Sequence, residues 1–167
     1  MMALAPGDAA PDFELLSAEG PLTLRSLRGS RVVLYFYPKD STPGCTLQAC
    51  AFRDRFKRLE GHGAVVLGVS KDSIASHEKF IGKFGLPFTL LSDPESAVAR
   101  AYGAFGEKKL YGKISQGTIR STFLIDEAGQ VAQVWSPVKV AGHVEAVIEA
   151  LEEQAVPKPR TKPTRRA

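Results

Sequence analysis

The sequence predicts an α/β protein, a central mixed sheet flanked by helices in three layers, on three observations. RVVLYFY (31–37) and AVVLGVS (64–70) are continuously apolar, β-branched or aromatic, the pattern of strands covered on both faces. A helical pattern lies between them, so the three segments read as a parallel, right-handed crossover. A later pair of apolar segments around a glycine turn adds antiparallel strands to the same sheet. The 167 residues, 44% apolar and 24% charged, suit one domain, and no internal repeat divides them.

Taken in order, FELLSAEGPLTL reads as a small hairpin at the N-terminal side, ahead of the first central strand. From Cys45 to Glu60, residues Leu47, Ala51, Phe52, Phe56 and Leu59 fall at helical spacings and stop before GHG. A second helix follows from Ser73 to Phe84, with Ile74, His77, Ile81 and Phe84 on one stripe, Asp72 as cap and Gly85 as stop. LPFTLL is a short strand, after which Asp93 as N-cap and Pro94 at the first helical position start a helix that ends near Gly103. The Gly- and Lys-rich stretch 103–117 has no periodicity and reads as a long loop. STFLID and QVAQVW form an antiparallel hairpin turning at Gly129, and the helix 142–154 buries Val144, Val147, Ile148 and Leu151. The domain so defined spans 5–153, and 154–167 is a basic, proline-rich tail.

The net charge of +4 sits in that tail. Five of the 22 basic residues lie in PKPRTKPTRRA, which leaves 17 against 18 acidic residues in the rest of the chain. Alternating prolines and charges cannot build a core, so the tail reads as a disordered, solubilising end, and no specific nucleic-acid partner is expected. No apolar run reaches the length of a membrane span, and MMALAPGDAAPDF lacks the features of a secretory signal, so a cytoplasmic protein is expected. In a reducing compartment two neighbouring cysteines serve redox catalysis or metal binding more often than stapling. His62, His77 and His143 fall in a turn and on two separate helices, which suits surface or packing roles better than metal ligation.

Both cysteines of the chain, Cys45 and Cys50, lie in KDSTPGCTLQACAFRD. A cysteine in the first helical turn meets unpaired backbone N–H groups and the positive end of the helix dipole, which favour a thiolate. Pro43 and Gly44 make the turn before it, and Thr42 sets a hydroxyl three residues upstream, able to donate to the sulfur or to a bound oxygen. On an ideal helix, positions i and i+5 have Cα atoms roughly 8.7 Å apart, outside disulfide range, whereas i and i+3 are roughly 5 Å apart. If Cys45 and Cys50 form a disulfide, the helix start must unwind. Cys45 is then the exposed, attacking thiol and Cys50 a partly buried second thiol released by local unfolding. A thiolate that takes an oxygen from a peroxide becomes a sulfenic acid and condenses with such a second thiol.

PKDSTPGC (38–45) matches the pattern P-x-x-x-T-x-x-C, and FYPKDSTPGCTLQACAFRD resembles the Q-type peroxiredoxins, the bacterioferritin comigratory protein family. The likeness extends over 5–153 through GVSKDS, FTLLSD, RSTFLID and the last helix. It implies a thioredoxin-like fold and thiol-dependent reduction of hydrogen peroxide and organic hydroperoxides, with no metal or organic cofactor. By position it implies Cys45 as the peroxidatic cysteine, Thr42 as the hydroxyl bonding the peroxide, Pro38 as the shield of the sulfur and Arg120 as the guanidinium supporting thiolate and substrate. It implies Cys50 as the resolving cysteine of an intramolecular disulfide that thioredoxin reduces, and a monomer. The N–H groups of Gly44 and Cys45 join Thr42 and Arg120 as donors for the charge that develops on the departing oxygen.

Two other readings use parts of the same sequence. A thioredoxin-like disulfide oxidoreductase shares the fold, but it normally carries C-x-x-C, a spacing that closes without unwinding. A module binding nucleic acid or protein would act through the tail. Lys108, Lys109 and Lys113 read as a solvated loop that could also guide a reductant, and Tyr35, Tyr37 and Trp135 as core or pocket-wall aromatics.

Overall fold

The computed structural model describes residues 4–110 and 112–155. Seven strands form one mixed sheet in the order β2-β1-β5-β4-β3-β8-β9. They are β1 (Glu14–Ser17), β2 (Gly20–Thr23), β3 (Arg31–Phe36), β4 (Ala64–Ser70), β5 (Thr89–Ser92), β8 (Ser121–Ile125) and β9 (Val131–Trp135). The inner strands β3, β4 and β5 run parallel, whereas β8 pairs antiparallel with β3 and β9. The expected parallel crossover and antiparallel addition are both present.

The period of two along β3 sorts side chains into two cores. Val33 and Tyr35 face a cluster with Phe52, Leu59, Phe80, Val147 and Leu151, supplied by helices α1 (Pro43–Asp54), α2 (Phe56–Gly61), α3 (Ile74–Phe84) and α5 (His143–Ala155). Val32, Leu34 and Phe36 face Phe13, Leu24, Phe123 and Tyr102, the last just beyond the short helix α4 (Ala97–Ala101). Burial on both faces explains the unbroken apolar runs of β3 and β4.

Glycine at 68 is part of the first core. A Cβ there would lie 2.7 Å from Leu90 Cδ2 and 2.9 Å from Tyr35 Cζ, closer than packed atoms approach. Gly68→Ala is expected to destabilise the fold by about 1–3 kcal/mol in denaturant melts, because overfilling a tight core forces its neighbours off their rotamers.

Four expectations are corrected. The helix drawn from 45 to 60 starts at Pro43 and breaks at Arg55 (φ −114°, ψ 15°), so α2 turns Phe56 and Leu59 towards the sheet with no glycine or proline to mark the bend. Asp72 does not cap α3; Ser73 does, its Oγ accepting from Ser76 N at 3.2 Å, while Asp72 receives the N–H of Asp40. Asp93 and Pro94 precede α4 by a turn: the carboxylate of Asp93 accepts from the N–H of Val98 and Ala99, but Ser96 is the residue at the cap. The stretch 103–117 is not a loop. It holds a hairpin, β6 (Phe105–Leu110) and β7 (Lys113–Thr118), paired from Phe105↔Thr118 to Leu110↔Lys113 in a separate two-stranded sheet. Phe105 alone of its described apolar side chains packs against a core, while Ile114 is exposed, so the ribbon carries no apolar alternation for periodicity to reveal. The tail from residue 156 onward lies outside the described residues.

His143, at the first turn of α5, is buried against Phe52 and Trp135, with Nε2 2.8 Å from Thr122 Oγ1. Burial lowers its pKa to about 4. Between that value and the ordinary one near 6.5 the unfolded chain binds the extra proton, so stability falls as pH drops through this window. The expected loss is on the order of 2 kcal/mol after allowance for solvent screening. Urea melts at pH 7 and pH 4.5 should show it, and His143→Gln should flatten that part of the profile.

Candidate active site

Strand β3 ends at Phe36, and the chain passes through 37–42 before α1 begins with Thr42 at the N-cap and Pro43 at the first helical position. Proline suits that position because its missing N–H would have had no helical partner. Gly44 and Cys45 follow, and their N–H groups lack an i−4 carbonyl inside the helix, leaving two donors at the sulfur's end of α1. Cys45 is 1% exposed. This corrects the expectation of an exposed thiol: the first turn of α1 packs into the core cluster with Tyr35, Tyr37 and Ala49. Oxidation at Cys45 is thereby restricted to a reagent that can reach a recessed sulfur.

Arg120, placed just ahead of β8, donates through Nη2 to Cys45 Sγ at 3.4 Å. A side chain 75 residues away in sequence thus meets the thiol, because β8 pairs with β3 and brings its start to the strand end that launches α1. A further contact fixes the guanidinium, Nη1 donating to Gln48 Oε1 at 2.6 Å, and the backbone of Arg120 is tied by its carbonyl, which accepts from Val138 N at 2.8 Å. Gly44 leaves room for it, since a Cβ there would stand 3.2 Å from Nη2.

Gln48 was not singled out by sequence. It lies one turn after Cys45, and the i, i+3 relation on a helix face is the signal that could have found it. It is 1% exposed, and its Nε2 has no hydrogen-bond partner among the described residues.

The loop before α1 is held by a buried carboxylate. Asp40 Oδ1 accepts from Tyr37 Oη, Oδ2 accepts from Ser76 Oγ at 2.8 Å and meets His77 Nδ1 at 2.7 Å, and His77 Nε2 lies 3.0 Å from Leu91 O. Burial raises the carboxyl's pKa, but the bonds from His77, Tyr37 and Ser76 outweigh it and hold Asp40 below the ordinary carboxylate value. His77 is therefore a strut between α3, β5 and the loop. Ser41 takes a left-handed φ of 65°, a conformation that costs a non-glycine residue about 1 kcal/mol and is kept here by its anchored neighbours.

Thr42 is half-buried, and its hydroxyl donates to Lys39 O at 2.9 Å and not to the sulfur. With its proton so used, its lone pairs remain to accept from an incoming O–H. Pro38 is half-buried on the same loop. Tyr35 and Tyr37 are fully buried core aromatics, as expected, and burial first, then neighbouring negative charge, pushes both phenols well above their ordinary pKa. They stay protonated across the working pH range of a cell.

Cys50 is half-buried further along α1, and both cysteines are free thiols. The structure thus brings Cys45, Gly44 and Arg120 into contact, places Thr42 and Pro38 on the adjoining loop, and leaves Cys50 on the same helix without a bond to Cys45. Among the described residues no three His, Cys, Asp or Glu side chains gather as metal ligands would, and no helix is long and apolar enough to cross a membrane.

A recessed thiol at a helix start, with a fixed guanidinium on the sulfur and a second thiol nearby on a thioredoxin-like sheet, defines a thiol peroxidase. The AhpC/TSA family pattern matches residues 6–134. Peroxiredoxin Bcp of Xanthomonas campestris is 48% identical over 149 residues, covering 87% of this chain and 93% of the relative. Peroxiredoxin Bcp of Bacillus subtilis is 44% identical over 155 residues, covering 92% and 99%. A solved structure of the Xanthomonas campestris bacterioferritin comigratory protein, described for its alkyl peroxide reduction activity, superposes with a TM-score of 0.83 at 43% identity, covering 92% of this chain and 98% of that one. The chain belongs to the AhpC/TSA family, as a peroxiredoxin of the bacterioferritin comigratory protein type.

Proposed function

We propose that this peroxiredoxin reduces hydrogen peroxide and organic hydroperoxides at Cys45, resolves the product through Cys50, and is recycled by thioredoxin without a metal or organic cofactor. The observation that supports it most is Arg120 Nη2 at 3.4 Å from Cys45 Sγ, beside the open N–H groups of α1. The thiolate attacks one oxygen of ROOH; the S–O bond forms as O–O breaks, and the departing oxygen leaves as ROH after taking a proton. Thr42 accepts from the peroxide O–H, Arg120 and the Gly44 and Cys45 N–H groups receive the growing charge, and Pro38 keeps bulk water from the sulfur. Cys50 then attacks the sulfenic sulfur, expelling water and leaving a disulfide. A dithiol exchanges with that disulfide and restores both thiols.

Because the cycle closes within one chain, a monomer suffices, and the reducing cytoplasm supplies the electrons. NADPH oxidation with thioredoxin, thioredoxin reductase and peroxide tests this reading: turnover is expected for wild type. No turnover with thioredoxin, alongside rapid turnover with another dithiol, would replace the reductant. Inertness towards every hydroperoxide would remove the reading altogether.

A further inference from the structure

The hairpin β6–β7 forms one wall of a groove of about 540 Å³. Four cations line it: Lys71, Arg100, Lys108 and Lys109, against one carboxylate, Glu95. None of the four forms a salt bridge among the described residues. The body of the chain is close to neutral, so this cluster is a local concentration of charge and not a share of a general excess. It is also partly built: the guanidinium of Arg100 lies 4.2 Å over the Phe105 ring and donates to Glu95 O, while Lys108 Cδ packs 3.4 Å from the position of a Cβ on Gly117.

The groove adjoins the active site at both walls. Pro38 lines it from the loop that launches α1, and Thr118 lines it two residues before Arg120. Hydrogen peroxide is small and neutral and has no use for a basic hollow of this size. The partner that must reach the same loop in every cycle is the protein that returns the electrons. Opposite charge across such an interface raises the encounter rate 10- to 1,000-fold and fades with salt.

We propose that this groove docks an acidic face of the dithiol protein that reduces the Cys45–Cys50 disulfide, an inference that rests on the cycle proposed above. The docked partner's thiolate attacks one sulfur of the disulfide, forming a mixed disulfide and releasing the other cysteine as a thiolate. The partner's second thiol then attacks the mixed disulfide, so both cysteines of this chain end reduced and the partner oxidised.

The test makes the disulfide with diamide, so it does not depend on peroxidase activity, and follows its reduction by an acidic thioredoxin and by dithiothreitol, which is uncharged. Lys108→Glu/Lys109→Glu is expected to slow thioredoxin about ten-fold or more at about 0.05 M salt and to leave dithiothreitol unchanged. Raising salt to about 0.3 M should slow the wild type several-fold and the double variant little, with Lys108→Gln/Lys109→Gln in between. Equal rates for wild type and the Glu variant with thioredoxin overturn the proposal, as does an equal slowing with dithiothreitol, which would mean a distorted hairpin. A wild-type disulfide that dithiothreitol reduces and thioredoxin does not also overturns it. A wild type that peroxide fails to oxidise but whose diamide-made disulfide shows the charge dependence would instead sink the peroxidase reading and leave the docking groove standing.

Discussion

Arg120→Met is expected to lower the rate constant for oxidation of Cys45 by hydrogen peroxide by two to three orders of magnitude, the usual consequence of removing one preorganised donor from a developing negative charge. The geometry supplies the reason. One arm of the guanidinium reaches the sulfur while the other is held by Gln48, so the donor is in place before the peroxide arrives. Arg120→Lys should recover little of the loss, since an ammonium is a point charge that cannot span both partners as a fork does. Stopped-flow oxidation separates the effect from folding when paired with thermal melts, which should shift far less than the rate. A loss smaller than ten-fold in Arg120→Met would mean that the helix N–H groups alone carry the charge.

Disulfide formation between Cys45 and Cys50 is expected to unwind much of α1. The two lie five positions apart on a helix, where Cα atoms are roughly 8.7 Å apart, beyond the range a disulfide spans. Ala49 and Phe52 lie in the core from the same helix, so the oxidised protein gives up packing as it gains the covalent link. Oxidised wild type should therefore show weaker helical circular dichroism and faster amide exchange across 43–54 than the reduced form. Cys50→Ser should keep the reduced exchange pattern after peroxide and hold Cys45 as a sulfenic acid, with thioredoxin-dependent turnover down at least about ten-fold because the thiol that resolves the sulfenic acid is missing. Unchanged exchange across 43–54 in a protein whose disulfide is verified by mass would contradict the helical spacing as the controlling feature.

The sheet was legible because burial on two faces leaves a plain mark: β3 and β4 stand in the sequence as unbroken apolar runs, and β8 and β9 as a pair about a glycine turn. Cys45, Thr42, Pro38 and Arg120 were singled out in the sequence through the resemblance. Only the fold could show that Arg120 meets the sulfur, since the two are joined by the pairing of β8 with β3 and not by spacing. What stayed hidden has physical causes. The Asp40–His77 strut joins positions 37 apart whose residue types are ordinary singly. The β6–β7 hairpin is held by backbone pairing and sets only Phe105 of its described apolar side chains against a core, which leaves no periodicity to read. The burial of Cys45 follows from how the first turn of α1 sits on Tyr35 and Tyr37, a packing outcome that helix-end chemistry does not determine.

The most direct measurement adds one equivalent of hydrogen peroxide to reduced wild type, Cys45→Ser and Cys50→Ser, follows peroxide loss and weighs the products. Wild type should consume the peroxide and lose two hydrogens as a Cys45–Cys50 disulfide; Cys50→Ser should consume it and retain one oxygen at Cys45; Cys45→Ser should consume none beyond the buffer rate. Peroxide consumption by Cys45→Ser at the wild-type rate would contradict the assignment of Cys45 as the attacking thiol.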